Sequence, residues 1–190
     1  SSGRILSPTT TNIRAAAEFI KDGGIVSYPT ETVYGLGVDP FNAGALERLF
    51  ELKGRPSDKP VLLLIHDRSQ LELLTTDIPK IAVNLMDQFW PGPLTLLLPA
   101  RMDLLSFVTS ESDTVAVRQS SDETSYSLCR ATGKPITSTS ANSRGEPPAT
   151  TAEQASGLFG SHNGLILDGH CKVDALPSTI VDTTESEPVV

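Results

Sequence analysis

The longest unbroken apolar run in the chain is Val61–Ile65. A membrane-spanning helix needs about 20 such residues, so no helical span and no membrane role are expected. Runs this short fit buried strands. Between them, apolar residues recur at helical spacing. Ile13, Ala16, Ala17 and Ile20 form one such stripe, with Thr11 or Asn12 as its N-cap and Gly23-Gly24 as its stop. Ile25–Tyr28 reads as a strand ended by Pro29. Ala43, Leu46, Leu49 and Phe50 predict a second helix, closed by Gly54 and Pro56. Pro60–His66 has a buried-strand pattern. Ile78, Ile81, Ala82, Leu85 and Phe89 predict a third helix, broken at Pro91-Gly92-Pro93. Leu94–Leu98 and Val115–Arg118 read as strands, and Glu123–Thr132 as a helix capped by Gly133. Pro135–Thr139 is extended. Thr150-x-x-Glu153 is a capping box that opens a short helix to Phe159. Leu165–Leu167 and Thr179–Val181 read as late strands. Helices alternating with apolar strands predict an α/β domain; pattern alone leaves strand order and strand direction open.

A chain of 190 residues, 38% hydrophobic, buries about two-thirds of its unfolded surface as one domain. No repeat or Pro/Gly/Ser-rich linker divides it. Residues 13–190 are expected to form the domain and 1–12 a tail, whose opening Ser-Ser-Gly-Arg, lacking a Met, reads as an expression scar and is left out of the fold. Cys129 and Cys171 lie in no CxxC, and no secretory signal opens the chain, so free thiols and a cytoplasmic location are expected. The net charge of -8 disfavours a broad nucleic-acid surface. Yet four of the 15 cations, Arg48, Lys53, Arg55 and Lys59, fall within twelve residues. Such a cluster in an acidic chain points to a small anion; the alternative is a solvated helix end.

Common nucleotide and metal motifs are missing. There is no GxxxxGK[ST], and Gly35-Leu36-Gly37 lacks the third glycine of a dinucleotide loop. No HExxH, Cys–His cluster or GxSxG appears, His66, His162 and His170 are scattered, and no resident metal site is expected. Three polar segments remain. In 27–37, a strand runs through Pro29 into Thr30-Glu31-Thr32 and then glycines, and loops at strand ends carry binding residues. In 52–60, an extended backbone before Pro56 would turn Lys53 and Arg55 the same way. An ammonium beside a guanidinium suits a polyphosphate; both could equally be cations at a helix C-terminus. In 137–145, Ser138, Ser140 and Asn142 alternate and would share a face if the strand continues, offering hydroxyl and amide partners. The first segment also has a plainer reading as an ordinary turn with threonine caps, and the third as a polar loop rich in turn residues.

Together these segments resemble the YrdC/TsaC family, the threonylcarbamoyl-AMP synthases of tRNA modification. The resemblance rests on YPTETVYGLG at 28–37, on Lys53-Gly54-Arg55 with Pro56, and on Ser140-Ala141-Asn142. WPGPLTLLLPA at 90–100, VAVR at 115–118, Asp168-Gly169 and the PSTIVD of 177–182 extend it from about residue 13 to 182. It implies a single-domain, twisted open sheet, mixed parallel and antiparallel, with flanking helices around a concave positive cavity. It implies that L-threonine, bicarbonate and ATP with Mg2+ give threonylcarbamoyl-AMP and pyrophosphate, a nucleotidyl transfer. Partner proteins then pass the carbamoyl group to adenosine 37 of tRNA. By matched position, Lys53 and Arg55 carry the catalytic charge. Lys53, Arg55, Lys59, Thr114, Ser140 and Asn142 bind ATP, and Thr32, Arg118, Ser138 and Ser178 surround the threonine. Glu31 is open between general base and orienting residue.

Departures from the family pattern exist. Leu64 stands where longer relatives have His, and His66 is two residues on. The Arg and the further domain that follow STIVD in those relatives do not occur before Val190, which leaves that part of the nucleotide contact open. Residues 118–122 read Arg-Gln-Ser-Ser-Asp, a variation of the family's pattern there. Two other function classes share the resemblance: a double-stranded RNA or tRNA-binding module, and a YrdC-like carbamoyl-transfer paralogue.

Overall fold

A computed structural model of the chain describes residues 3–54, 58–171, 178–185 and 189–190. The elements run β1 (Arg4–Leu6), α1 (Thr10–Lys21), β2 (Val26–Tyr28), β3 (Gly35–Gly37), α2 (Ala43–Lys53) and β4 (Leu62–Ile65). A 3-10 turn, Arg68–Leu73, leads to α3 (Lys80–Phe89), β5 (Leu94–Pro99), the one-turn α4 (Ser106–Thr109) and β6 (Thr114–Gln119). Then follow α5 (Glu123–Thr132), β7 (Ile136–Thr137), β8 (Thr139–Ser140), α6 (Ala152–Phe159), β9 (Leu165–Leu167) and β10 (Thr179–Asp182).

The strands form two mixed sheets, ordered β1-β9-β2-β3-β8 and β10-β5-β6-β4-β7. In the first, β1, β9 and β2 are parallel, and β3 and β8 antiparallel to their neighbours. In the second, β10 with β5 and β6 with β4 are parallel pairs, while β5 with β6 and β4 with β7 are antiparallel. The expected mixed α/β architecture with flanking helices is therefore present, as two sheets rather than one. β7 and β8 are separated by Ser138 alone, so the chain leaves one sheet and enters the other at that residue. Thr137 stitches the two: its hydroxyl donates to the Leu36 carbonyl at 2.8 Å and accepts from Val38 N at 2.9 Å.

Alternation along the strands sorts the core into two clusters. Leu63 and Ile65 of β4 join the larger one with α2, α3 and α6, whereas Leu64 joins Val26, Tyr28 and Ile136 beneath α1 and α5. Val115 and Val117 of β6 likewise enter the larger cluster. Arg118 is thereby turned to the opposite face, paired in register with Leu64.

Several expectations change here. The tail expected at 1–12 contributes β1, an edge strand parallel to β9, and α1 begins at Thr10 with Thr9 as N-cap. The glycine-rich 35–37 is a strand rather than a loop, because the Tyr28 ring packs over it. A Cβ at Gly37 would lie 2.8 Å from Tyr28 Cε1. The capping box is shifted by one residue: Thr151 caps α6 by accepting from Gln154 N, and Gln154 Oε1 accepts from Thr150 N. On α3 the inward line is Ala82 and Met86, so the flanking Ile78 and Ile81 are partly exposed and Phe89 is 52% exposed.

Candidate active site

A cavity of about 760 Å3 opens on the seam between the sheets. Eight of the ten residues expected at the site line it: Lys53, Lys59, Ser140, Asn142, Thr32, Arg118, Ser138 and Ser178. Arg55 lies outside the described residues. Thr114 is not among the lining residues; its hydroxyl meets Ser112 Oγ at 3.0 Å. Among the described residues, the charged lining consists of Lys53, Lys59, Arg118 and Arg144 against Asp58. A chain of net charge -8 thus carries a positive cavity.

Lys53 occupies the last turn of α2, which Gly54 ends in the left-handed conformation at φ 89°. Lys53 is therefore helical rather than part of the expected extended stretch, whose Arg55 and Pro56 lie outside the described residues. From the helix end, Nζ donates to the Ser140 carbonyl at 2.6 Å and to Asn142 Oδ1 at 3.2 Å, with Ser140 Oγ at 3.4 Å. Ser140 Oγ also donates to Asn142 Oδ1, and Asn142 Nδ2 donates to the Glu146 carbonyl. Two signatures some 87 residues apart in sequence thus form one network. Ser138 and Ser140 do not share a continuous strand face, since the chain changes sheets between them. They meet in the cavity because Ser138 N is held by the Leu62 carbonyl at 2.8 Å while Ser140 pairs with Gly35.

Arg118 is 2% exposed. Burial works against its charge, and Glu31 restores it; an arginine stays protonated in such a setting. Its Nε lies 3.2 Å from Glu31 Oε1, and the guanidinium makes no hydrogen bond to a described residue. The fork is therefore available to a bidentate anion such as a carboxylate. Near it are two threonine hydroxyls. Thr30 Oγ1 donates to the Val33 carbonyl at 2.7 Å. A hydroxyl has one proton, so in the 3.0 Å contact between them Thr32 is the donor. Thr32 Oγ1 is left as an acceptor facing the cavity, suited to an N–H. Ser178 Oγ accepts from Thr95 at 3.4 Å.

Arg144 and Thr30 are among the lining residues that the sequence reading did not single out. Arg144 follows the Ser-x-Asn signature, and its backbone N is held by the Lys53 carbonyl at 3.1 Å. Its positive charge beside that signature was the available signal. Thr30, inside the quoted Thr-Glu-Thr, gave none. Among the described residues no group of three or more His, Cys, Asp or Glu could hold a metal ion, and no helix is long and apolar enough to cross a membrane.

Known proteins resemble the chain throughout. A threonylcarbamoyl-AMP synthase from Pyrococcus abyssi is 42% identical over 178 residues, covering 94% of this chain and 52% of that protein. One from Nitrosococcus oceani is 41% identical, covering 90% of this chain and 92% of that protein. The crystal structure of P. abyssi Sua5 complexed with L-threonine superposes with a TM-score of 0.90 at 40% identity, over 98% of this chain and 55% of that one. The chain thus spans about half the length of the first two matched relatives and nearly the whole of others. The Sua5/YciO/YrdC family, described as telomere recombination, matches residues 18–190. With that match over most of its length, and with Lys53, Ser140 and Asn142 joined in one network beside Arg118 in the same cavity, the chain belongs to the Sua5/YciO/YrdC family.

Proposed function

We propose that this chain is an L-threonylcarbamoyladenylate synthase, a nucleotidyltransferase that makes threonylcarbamoyl-AMP and pyrophosphate from L-threonine, bicarbonate and ATP. The observation that carries this reading is the division of a single cavity. A buried guanidinium with small hydroxyls suits an amino acid, and the Lys53, Ser140 and Asn142 network with Lys59 and Arg144 suits a nucleotide polyphosphate. The threonylcarbamoyl-AMP synthases among the relatives, and the threonine complex of P. abyssi Sua5, support the same activity.

In the proposed reaction Arg118 takes the threonine carboxylate and Thr32 accepts from its amine. The amine nitrogen bonds to the carbon of bicarbonate, and loss of water leaves an N-carboxylate. A carboxylate oxygen then attacks the α-phosphorus of ATP, and the bond to the bridging oxygen breaks as pyrophosphate leaves. Two anions must meet in that step. The cations of the cavity, together with Arg55 by its matched position, offset their repulsion and stabilise the leaving charge. Asp58 is the carboxylate lining the cavity among the described residues. Magnesium accordingly enters as part of MgATP, ligated mainly by phosphate oxygens and water.

We place the reaction in the cytoplasm, which the free, buried Cys129 and Cys171 suit, and assign the later transfer to tRNA adenosine 37 to partner proteins. Pyrophosphate release tests the proposal. It should require threonine and bicarbonate together, and mass spectrometry should find threonylcarbamoyl-AMP. Equal release from ATP alone would overturn it.

A further inference from the structure

Glu31 lies between the cavity-lining Thr30 and Thr32, yet its carboxylate is turned away from any free role. Oε2 accepts from the Ser120 hydroxyl, from Ser121 N at 3.0 Å and from Asp122 N at 3.2 Å. These donors belong to the bend that joins β6 to α5, and Asp122 is the N-cap of that helix. Oε1 faces Arg118 Nε at 3.2 Å, both atoms buried and neither in line for a hydrogen bond. The side chains of this ion pair are 15% and 2% exposed. One carboxylate therefore fixes the backbone at the end of β6 and balances the charge of the cation that β6 carries into the cavity.

We infer that Glu31 is a positioning residue for the amino-acid half of the site: it holds the Arg118 guanidinium in place for a substrate carboxylate and takes no proton from the substrate. This inference rests on the proposed threonine reading. A base needs an oxygen within reach of the proton it takes. Oε2 is already committed to four donors, Ser121 Oγ at 3.4 Å being the fourth, and Oε1 is enclosed against Arg118. The misaligned pair also has a physical consequence. Buried polar atoms without a partner cost free energy. A ligand carboxylate that drew the guanidinium into line would recover part of that cost on binding, so holding Arg118 in place should aid substrate capture despite the repulsion between the two carboxylates.

Glu31→Gln separates these roles, because the amide keeps the size and one acceptor oxygen while removing the charge that faces Arg118. Calorimetry should show L-threonine binding weakened about tenfold to a hundredfold, as the guanidinium loses the charge that holds it in place. ATP binding should stay within about twofold, below the tenfold that 1.4 kcal/mol represents. In turnover, KM for threonine should rise while kcat at saturating threonine is largely kept. A collapse of kcat at saturating threonine, with loss of the acidic limb of the pH profile, would assign Glu31 as the base and overturn the inference. Equal loss of threonine and ATP binding with a lowered melting temperature would make it structural, with the same result. Should Glu31→Gln not fold, Glu31→Asp carries the test: the charge remains but the reach is shorter, so threonine binding should fall and ATP binding should not. Wild-type protein that binds ATP but not threonine would overturn the functional reading itself, whatever the variants do.

Discussion

Lys53 has three N–H groups to give, and among the described residues the Ser140 carbonyl, Ser140 Oγ and Asn142 Oδ1 stand within reach. The lysine is thus a tether as well as a charge. It also sits at a helix C-terminus, where a cation is favoured by the backbone dipole. The helix-end reading of this residue is therefore met in the structure, and under the proposed function its substitution has two consequences. Lys53→Ala should weaken ATP binding by about 1.5–3 kcal/mol, the range for hydrogen bonds to a charged group. It should also lower the melting temperature, because the half-buried oxygens of Ser140 and Asn142 lose their donor. Calorimetry and a thermal melt check the two effects separately. Loss of ATP affinity with an unchanged melt would show that the tether contributes nothing to the fold. Lys53→Arg should not restore binding, since a planar fork cannot reproduce three convergent bonds from one nitrogen.

At the scale of elements, the site depends on β3, β7 and β8, which are short and locally unremarkable. Gly35 and Gly37 make room for the Tyr28 ring and for Ser138, whose Oγ would lie 2.8 Å from a Cβ at Gly35. Tyr28 cannot retreat, because its hydroxyl donates to the Thr137 carbonyl at 2.6 Å. Gly37→Ala should therefore cost about 1–3 kcal/mol as an overpacked core, read as a lowered midpoint in urea, and a variant as stable as wild type would show that the ring is free to shift. Why some elements were legible follows from the same geometry. α5 carries its own signals, with Asp122 accepting from Ser125 N at its start and Gly133 left-handed at its end, so local sequence suffices. β3 is held by a ring from a neighbouring strand, and glycine in a strand reads as a break. The change of sheet at Ser138 depends on Leu62 and Val38, distant in sequence. The site divides likewise. Lys53, Ser140 and Asn142 were legible as polar motifs. The orienting role of Glu31 was not, because its partners at 118–122 lie about 90 residues away.

For the whole molecule, the core on either side of the cavity buries acidic hydroxyl and thiol groups. Burial pushes the Cys129 thiol from 9.0 up to about 12, and pushes the Tyr28 and Tyr34 phenols well above their usual range. The two tyrosines join the halves of the chain: Tyr28 donates to Thr137, and Tyr34 shares its one hydroxyl proton between the carbonyls of Leu167 and Gly169. The sign of the linkage is fixed by these directions. Below pH 9 the three groups are protonated in both the folded and the unfolded chain, and their contribution to stability is whole. Above it, the unfolded chain releases first the thiol proton and then, near pH 10, the phenolic protons, while the folded chain retains them. Stability therefore falls as pH rises, by up to about 1.4 kcal/mol per pH unit for each proton withheld. Urea unfolding followed from pH 8 to 11 should show the midpoint falling from about pH 9, more steeply past pH 10. Tyr28→Phe should be less stable than wild type at pH 8, having lost its bond to Thr137, yet lose less stability between pH 9 and 11. An equal alkaline loss in both proteins would show that the Tyr28 proton is not held by the fold.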